Sequence, residues 1–192
     1  MKQITLLLAL TLASLLAQAQ PKDTVLNRRI AEFMQISRDM DLDKTMDYIY
    51  PRLFELVPRS KMVEAMKKAV NSEEMTIAMD SLRAMQPEPI TTAGTTQFTR
   101  FRYYVQFSIR FAKKDSTAED MAASYLMLLQ SQFGKEHVRY SGETDVFLIH
   151  TIKYSLAIKD RYSKNIWTFV NQEQSNMLRK LLPAALVKKY KM

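Results

Sequence analysis

The sequence predicts a single α+β domain, with N-terminal helices packed on a mainly antiparallel sheet. Three observations carry this. Apolar residues recur at helical spacing between Leu26 and Val70, the pattern turns to strict alternation between Phe101 and Phe111, and a turn signal at Ser141-Gly142 joins two further strand-like runs. With 192 residues, 47% hydrophobic and 25% charged, the chain has the length and apolar content for one packed core.

The first element is a leader. Lys2 precedes an apolar run from Ile4 to Leu16, and Ala17-Gln18-Ala19 is the small-x-small pattern a signal peptidase accepts. The run falls short of the roughly 20 apolar residues that cross a bilayer. Residues 1–19 are therefore expected to be a cleaved signal peptide, with residues 20–192 forming the exported domain in the periplasm or outside the cell.

Leu26, Ile30, Phe33 and Met34 then mark a helix within 23–40, with Asp23 and Thr24 as candidate caps. A second helical pattern starts at Asp43, and Pro51 must kink or break it because proline lacks the backbone donor and collides with the preceding turn. After Pro58, Ser60 is positioned to cap a third helix bearing Met62, Val63, Met66 and Val70. Residues 73–86 fit a helix through Met75, Ala78, Met79, Leu82 and Met85, or a strand through Met75, Ile77 and Met79.

The clearest strand is 100–111. Phe101, Tyr103, Val105, Phe107, Ile109 and Phe111 lie on one face, and Arg100, Arg102, Tyr104, Gln106, Ser108 and Arg110 on the other. Residues 117–133 return to helix, with Thr117 as cap, Met121, Tyr125, Leu128 and Leu129 as the apolar stripe, and Gly134 as terminator. A hairpin follows, from 137–140 into a long strand over 145–159. A strand at 165–170 and a helix capped near Ser175, with Met177, Leu178, Leu181 and Leu182, complete the chain.

Two stretches resemble segments of a known group. Asp47-Tyr48-Ile49-Tyr50-Pro51-Arg52-Leu53-Phe54-Glu55-Leu56-Val57 is similar to the "LDYTYPKLFELV" segment of small exported proteins of unassigned function. Leu156-Ala157-Ile158-Lys159-Asp160, followed by Trp167-Thr168-Phe169-Val170, resembles their "LAIKD…WTFI" segment. The order of helices and then strands also looks like the nuclear transport factor 2-like cone. That resemblance implies a curved sheet around a pocket and pulls 73–86 toward strand. The fold hosts isomerases, dehydratases and non-enzymatic binders, so it leaves function open.

Composition excludes several chemistries. The absence of Cys removes thiol nucleophiles, disulfides and thiolate metal sites, and 3 Gly leave no phosphate-cradling loop. Two His leave little room for a histidine metal site, so no metal and no cofactor is expected. Asp39, Asp41 and Asp43 alternate as at the start of a calcium loop, but Lys44 stands where Gly is needed and Tyr50 where Glu is needed, which points to capping instead. The net charge of +8 suits solubility or an anionic partner, and export argues against nucleic acid.

The candidate ligand-binding residues are His150, Tyr154, Tyr103 and Trp167. His150 lies mid-strand among Val146, Leu148, Ile152, Leu156 and Ile158, a face expected to turn inward, where an imidazole needs a partner and titrates near neutrality. Tyr154 shares that face, and Tyr103 and Trp167 offer aromatic walls. His137 is expected to be exposed beside the hairpin turn. Arg100, Arg102 and Arg110 form a second candidate set, spaced to grip sulfate, phosphate or carboxylate groups on an extended ligand. No catalytic motif appears, and Asp80 is the carboxylate whose strand register allows an inward position.

The expected role is a non-enzymatic ligand-binding or interaction module. The alternatives are a pocket enzyme of the isomerase or dehydratase type using His150 as acid and base, and an envelope-surface protein binding anionic glycan or lipid. Partners consistent with this are a small molecule, a protein, an anionic surface, or a second copy forming a homodimer.

Overall fold

A computed structural model describes residues 23–70, 72–112, 118–174 and 179–192. The leader at 1–19, the Thr117 cap and the Ser175, Met177 and Leu178 part of the expected last helix lie outside the described residues. The described chain is α+β, with five α-helices and a six-stranded antiparallel sheet.

Helix α1 (Thr24–Arg38) starts where the Asp23 carboxylate accepts the Leu26 N–H at 2.9 Å, and it buries Leu26, Ile30 and Met34. Asp41 caps the one-turn helix α2 (Leu42–Thr45) by accepting from the Lys44 N–H, and Lys44 holds its carboxyl below the usual carboxylate range through a hydrogen bond. Asp43 pairs with Lys67 at 2.8 Å, so these aspartates cap and pair.

Pro51 breaks the second helical pattern. It forces Tyr50 into extended backbone at φ −58°, ψ 118°, between two 3₁₀ turns, Met46–Tyr48 and Pro51–Glu55. Helix α3 (Arg59–Val70) begins one residue before the expected Ser60 cap.

The ambiguous segment is strand β1 (Met75–Ala84), followed by β2 (Thr91–Ala93) and β3 (Thr96–Phe111). Helix α4 (Ala118–Phe133) buries Leu129, whereas Leu128 is 61% exposed, so the expected stripe is narrower than its spacing suggested. The hairpin β4 (Val138–Ser141) and β5 (Val146–Lys159), then β6 (Thr168–Asn171), complete the sheet. Residues 179–182 are turn and bend rather than helix. The last helix, α5 (Ala184–Tyr190), starts after Pro183, whose fixed φ suits a helix start.

The long strands β3 and β5 pair at the centre, β1 and β2 share the outer edge of β3, and β4 and β6 share the outer edge of β5. Side chains alternate across a strand, and directly paired residues share a face. The unbroken β3–β5 register therefore divides the sheet cleanly. One face carries Phe101, Tyr103, Val105, Phe107 and Ile109 with Phe147, Ile149 and Ala157, and the other carries Arg100 to Arg110 with Leu148 to Leu156.

Helix α1 covers the first face with Phe101, Ala157, Trp167 and Phe169, and α4 covers its far end with Ile109, Phe147 and Ile149. The second face is covered only at the end near α5, where Phe98, Leu156, Ile158 and Val170 meet Tyr50, Leu53, Leu186 and Tyr190. The β1–β3 register slips between Met79 and Ser81, leaving Asp80 at a bulge and exposed rather than inward.

Candidate functional site: an open, arginine-edged sheet face

The uncovered half of the second face is the candidate site. Along β5, Leu148, Ile152 and Tyr154 are 39%, 47% and 38% exposed. The inward turn expected of this face is therefore reversed. Phe147 and Ile149, on the other parity, are the residues that enter the core. The reason is two-sided packing: β5 is covered on both faces only from Ser155 to Ile158, and its apolar residues before that point face opposite ways.

Register fixes what lies beside these residues. Arg102 is opposite Tyr154, Tyr104 opposite Ile152, Gln106 opposite His150, and Ser108 opposite Leu148. On the flanks, Arg83 is opposite Tyr104, Thr76 opposite Arg110, and Arg139 opposite Leu148. Arg83, Arg102, Arg110 and Arg139 are all exposed. Asp80, exposed at the β1 bulge on the same parity as Thr76 and Ala78, is a carboxylate beside this face, so the patch is an apolar strip whose edges are mainly cationic. From Leu148 to Tyr154 the strip runs about 20 Å.

The four expected ligand-binding residues do not converge. His150 and Tyr154 lie on the open face, whereas Tyr103 and Trp167 lie on the opposite one. Trp167 is 1% exposed in the α1 core, and its Nε1 is buried without a partner. Burial, and then the Glu173 charge, pushes the Tyr103 phenol up to about 12. The three arginines also divide. Arg102 and Arg110 are free to reach solvent-borne groups, but Arg100 donates to Glu88 at 2.8 Å and lies over the Tyr154 and Tyr190 rings at 4.8 and 4.9 Å. Arg100 thus closes the covered end of the strip.

His137 is half-buried rather than exposed, and its ring meets that of His150 edge-on, with centroids 5.2 Å apart. Sequence reading missed His137, Arg83 and Arg139. Counting back from the hairpin turn would have brought Arg139 to this face, but the 3₁₀ turn that ends at His137 and the bulge that aligns Arg83 leave no sequence signal.

A separate groove of about 650 Å³ lies between α2 and α3, lined by Asp43, Arg59, Ser60, Val63, Glu64 and Lys67. Its charges are paired, Lys67 with Asp43 and Arg59 with the nearby Asp47 at 2.6 Å, so it has no dominant sign.

The stretches 47–57 and 156–170 meet as a structural clamp. Tyr50 donates its hydroxyl to Asp160 at 2.7 Å, both residues being buried, and the Tyr50 N–H donates to the Phe169 carbonyl at 2.9 Å. Asp160 also accepts from the Ser163 N–H. No family model, curated protein or solved structure matches this chain.

Proposed function

We propose that the chain is an exported, non-enzymatic binding module, built as a nuclear transport factor 2-like cone, that holds an extended acidic glycan on its open sheet face. The observation that carries this is the strip of exposed Leu148, Ile152 and Tyr154 edged by four arginines, Arg83, Arg102, Arg110 and Arg139, which outnumber the nearby carboxylate of Asp80. Flat apolar and aromatic surface accepts sugar rings, and guanidinium forks match carboxylate and sulfate groups bidentately. A lipid surface is matched less well, because the apolar residues lie within a sheet face rather than on a protruding loop or helix. The leader-like run at 1–19 supports export.

The test is retention on a sulfated polysaccharide column under a salt gradient. The Arg102→Ala/Arg110→Ala double variant is expected to elute at clearly lower salt than a charge-matched Lys68→Ala/Lys188→Ala control, because both lose two charges but only the first loses guanidinium contacts to the bound anion. Equal elution of the two would leave only the net charge and overturn the reading. Export is tested apart from it: the secreted protein should carry a mature N-terminus at Gln20 by mass spectrometry, and retention of residues 1–19 would refute it.

A further inference from the structure

We propose that the β5–β6 loop, residues 160–166, is a docking tip for an anionic lipid bilayer, with Tyr162 and Ile166 entering the interface and Lys159, Arg161 and Lys164 meeting headgroup phosphates. Tyr162 and Ile166 are 42% and 50% exposed. Arg161 and Lys164 are exposed on the same loop, with Lys159 half-buried at its base. The loop lies beyond the last β5–β6 pair, Ile158 with Thr168, at the end of the sheet. It is separate from the arginine-edged face, because Leu156 and Ile158 between the two are buried against α5.

The exposed charge of this loop has one sign. Its single carboxylate, Asp160, is 2% exposed and is taken up by Tyr50 and Ser163. Arg52 nearby pairs with Glu55, and among the described residues none of Lys159, Arg161 and Lys164 is in ion-pair contact with a carboxylate. Two guanidinium groups stand over the Tyr162 ring, that of Arg52 at 4.7 Å and that of Arg161 at 4.8 Å, and Arg161 also donates to the Tyr162 hydroxyl at 2.8 Å. An aromatic ring with a wet, cationic tip is the pattern that settles at headgroup depth, its apolar body in the acyl boundary and its polar end in water.

The backbone holds this display in place. Asp160 Oδ1 accepts from the Ser163 N–H at 3.0 Å, and the Asp160 carbonyl accepts from the Asn165 N–H at 2.7 Å and the Ser163 hydroxyl at 3.0 Å. The Ser163 carbonyl accepts from the Ile166 N–H at 3.0 Å. Binding therefore has little loop entropy left to remove. Area and charge then select the partner. Seven residues offer far less than the roughly 800 Å² per partner of a stable protein interface, whereas a bilayer requires no matching surface. Each Lys or Arg near an anionic membrane strengthens binding roughly fivefold, and the net charge of +8 acts in the same direction. The proposal needs none of the sheet-face arginines, so it stands apart from the glycan reading.

The test is co-sedimentation with vesicles of phosphatidylcholine alone and of phosphatidylcholine mixed with phosphatidylglycerol. The protein used starts at Gln20, which keeps every described residue and removes the apolar run from Ile4 to Leu16 that could itself insert. Binding is expected on the mixed vesicles only, and it should fall as salt rises. Arg161→Gln/Lys164→Gln should weaken it at least ~10-fold, clearly more than a charge-matched Lys68→Gln/Lys135→Gln control. The chain has no cysteine, so an Ile166→Cys variant can carry a polarity-sensitive fluorophore at one known position. Its emission should shift to the blue on the mixed vesicles, while the same label on Lys68→Cys stays unshifted. Equal binding to both vesicle types, no binding to either, or equal losses in the two charge variants would overturn the proposal. A bound chain with an unshifted label at position 166 would overturn it as well, whatever the stability of the charge variants.

Discussion

Tyr50 and Asp160 connect chain segments 110 residues apart through one buried hydrogen bond of 2.7 Å. A carboxylate taken from water needs its acceptor sites filled, and among the described residues the Tyr50 hydroxyl and the Ser163 N–H fill one oxygen each of Asp160. Tyr50→Phe is expected to cost about 1–3 kcal/mol in urea unfolding, by leaving one carboxylate oxygen unpaired. The buried phenols also set an alkaline limit. Burial, reinforced by Asp160, pushes Tyr50 well above the ordinary phenol value, and burial pushes Tyr103 and Tyr190 up to about 12. An acid whose folded pKa is raised stabilises the fold fully below the unfolded value of about 10. That contribution is lost as pH climbs from there through the folded values, because the unfolded chain then holds fewer protons than the native one. Stability should therefore fall above about pH 10, and Tyr50, Tyr103 and Tyr190, with Tyr48 also raised by burial, should ionise, by ultraviolet absorbance, only at higher pH or with unfolding. Tyr50→Phe should make the decline shallower, and an unchanged slope would show that Tyr50 does not contribute to it.

Within elements, cost should follow packing rather than residue type. Phe101 and Phe107 occupy the same face of β3, but Phe101 is 1% exposed against Phe169 and Tyr103, whereas Phe107 is half-buried and meets Phe133 edge-on. Phe101→Ala should cost about 3–5 kcal/mol and Phe107→Ala clearly less, measured by denaturant midpoint at constant slope. An inverted order would mean that α4 packs on the sheet more tightly than α1. The turn between α4 and β4 offers a sharper case. Gly134→Ala combines a disfavoured φ with crowding against Glu136 and His137, and should destabilise by roughly 1–3 kcal/mol. A neutral result would show that the turn relaxes freely.

At the scale of the molecule, one sheet serves two masters. Its first face is covered by α1 and α4, while its second is covered only near α5, and that partial cover is what leaves a binding face. Leu186, Tyr190 and Met192 are buried there against Phe98, Leu156 and Ile158. Each such side chain is worth about 1.5–3 kcal/mol when buried. Deleting residues 184–192 should remove a large part of the roughly 5–15 kcal/mol typical of a domain, read as a steep loss of the unfolding midpoint. A truncated chain with an unchanged midpoint would show that the second face needs no cover at all.

Local chemistry was legible in the sequence wherever one side of an element meets the core and the other meets water. Alternation marked β3, a 3.6-residue spacing with Asp23 marked α1, Pro51 marked the break, and Ser141-Gly142 marked the hairpin. The class α+β followed from the order of those periods. What tertiary structure alone decided is which face of β5 is inside. Both parities of that strand are apolar, Phe147 and Ile149 on one and Leu148 and Ile152 on the other, so periodicity is silent until a helix lands on one of them. The placement of α1 and α4 buried the first set and left the second open, which put His150 and Tyr154 with the arginines and separated them from Tyr103 and Trp167. The meeting of His137 with His150 depends on the 3₁₀ turn that leads into β4, and that of Tyr50 with Asp160 on a fold-wide return of the chain. Both are contacts at a distance, which no local pattern encodes.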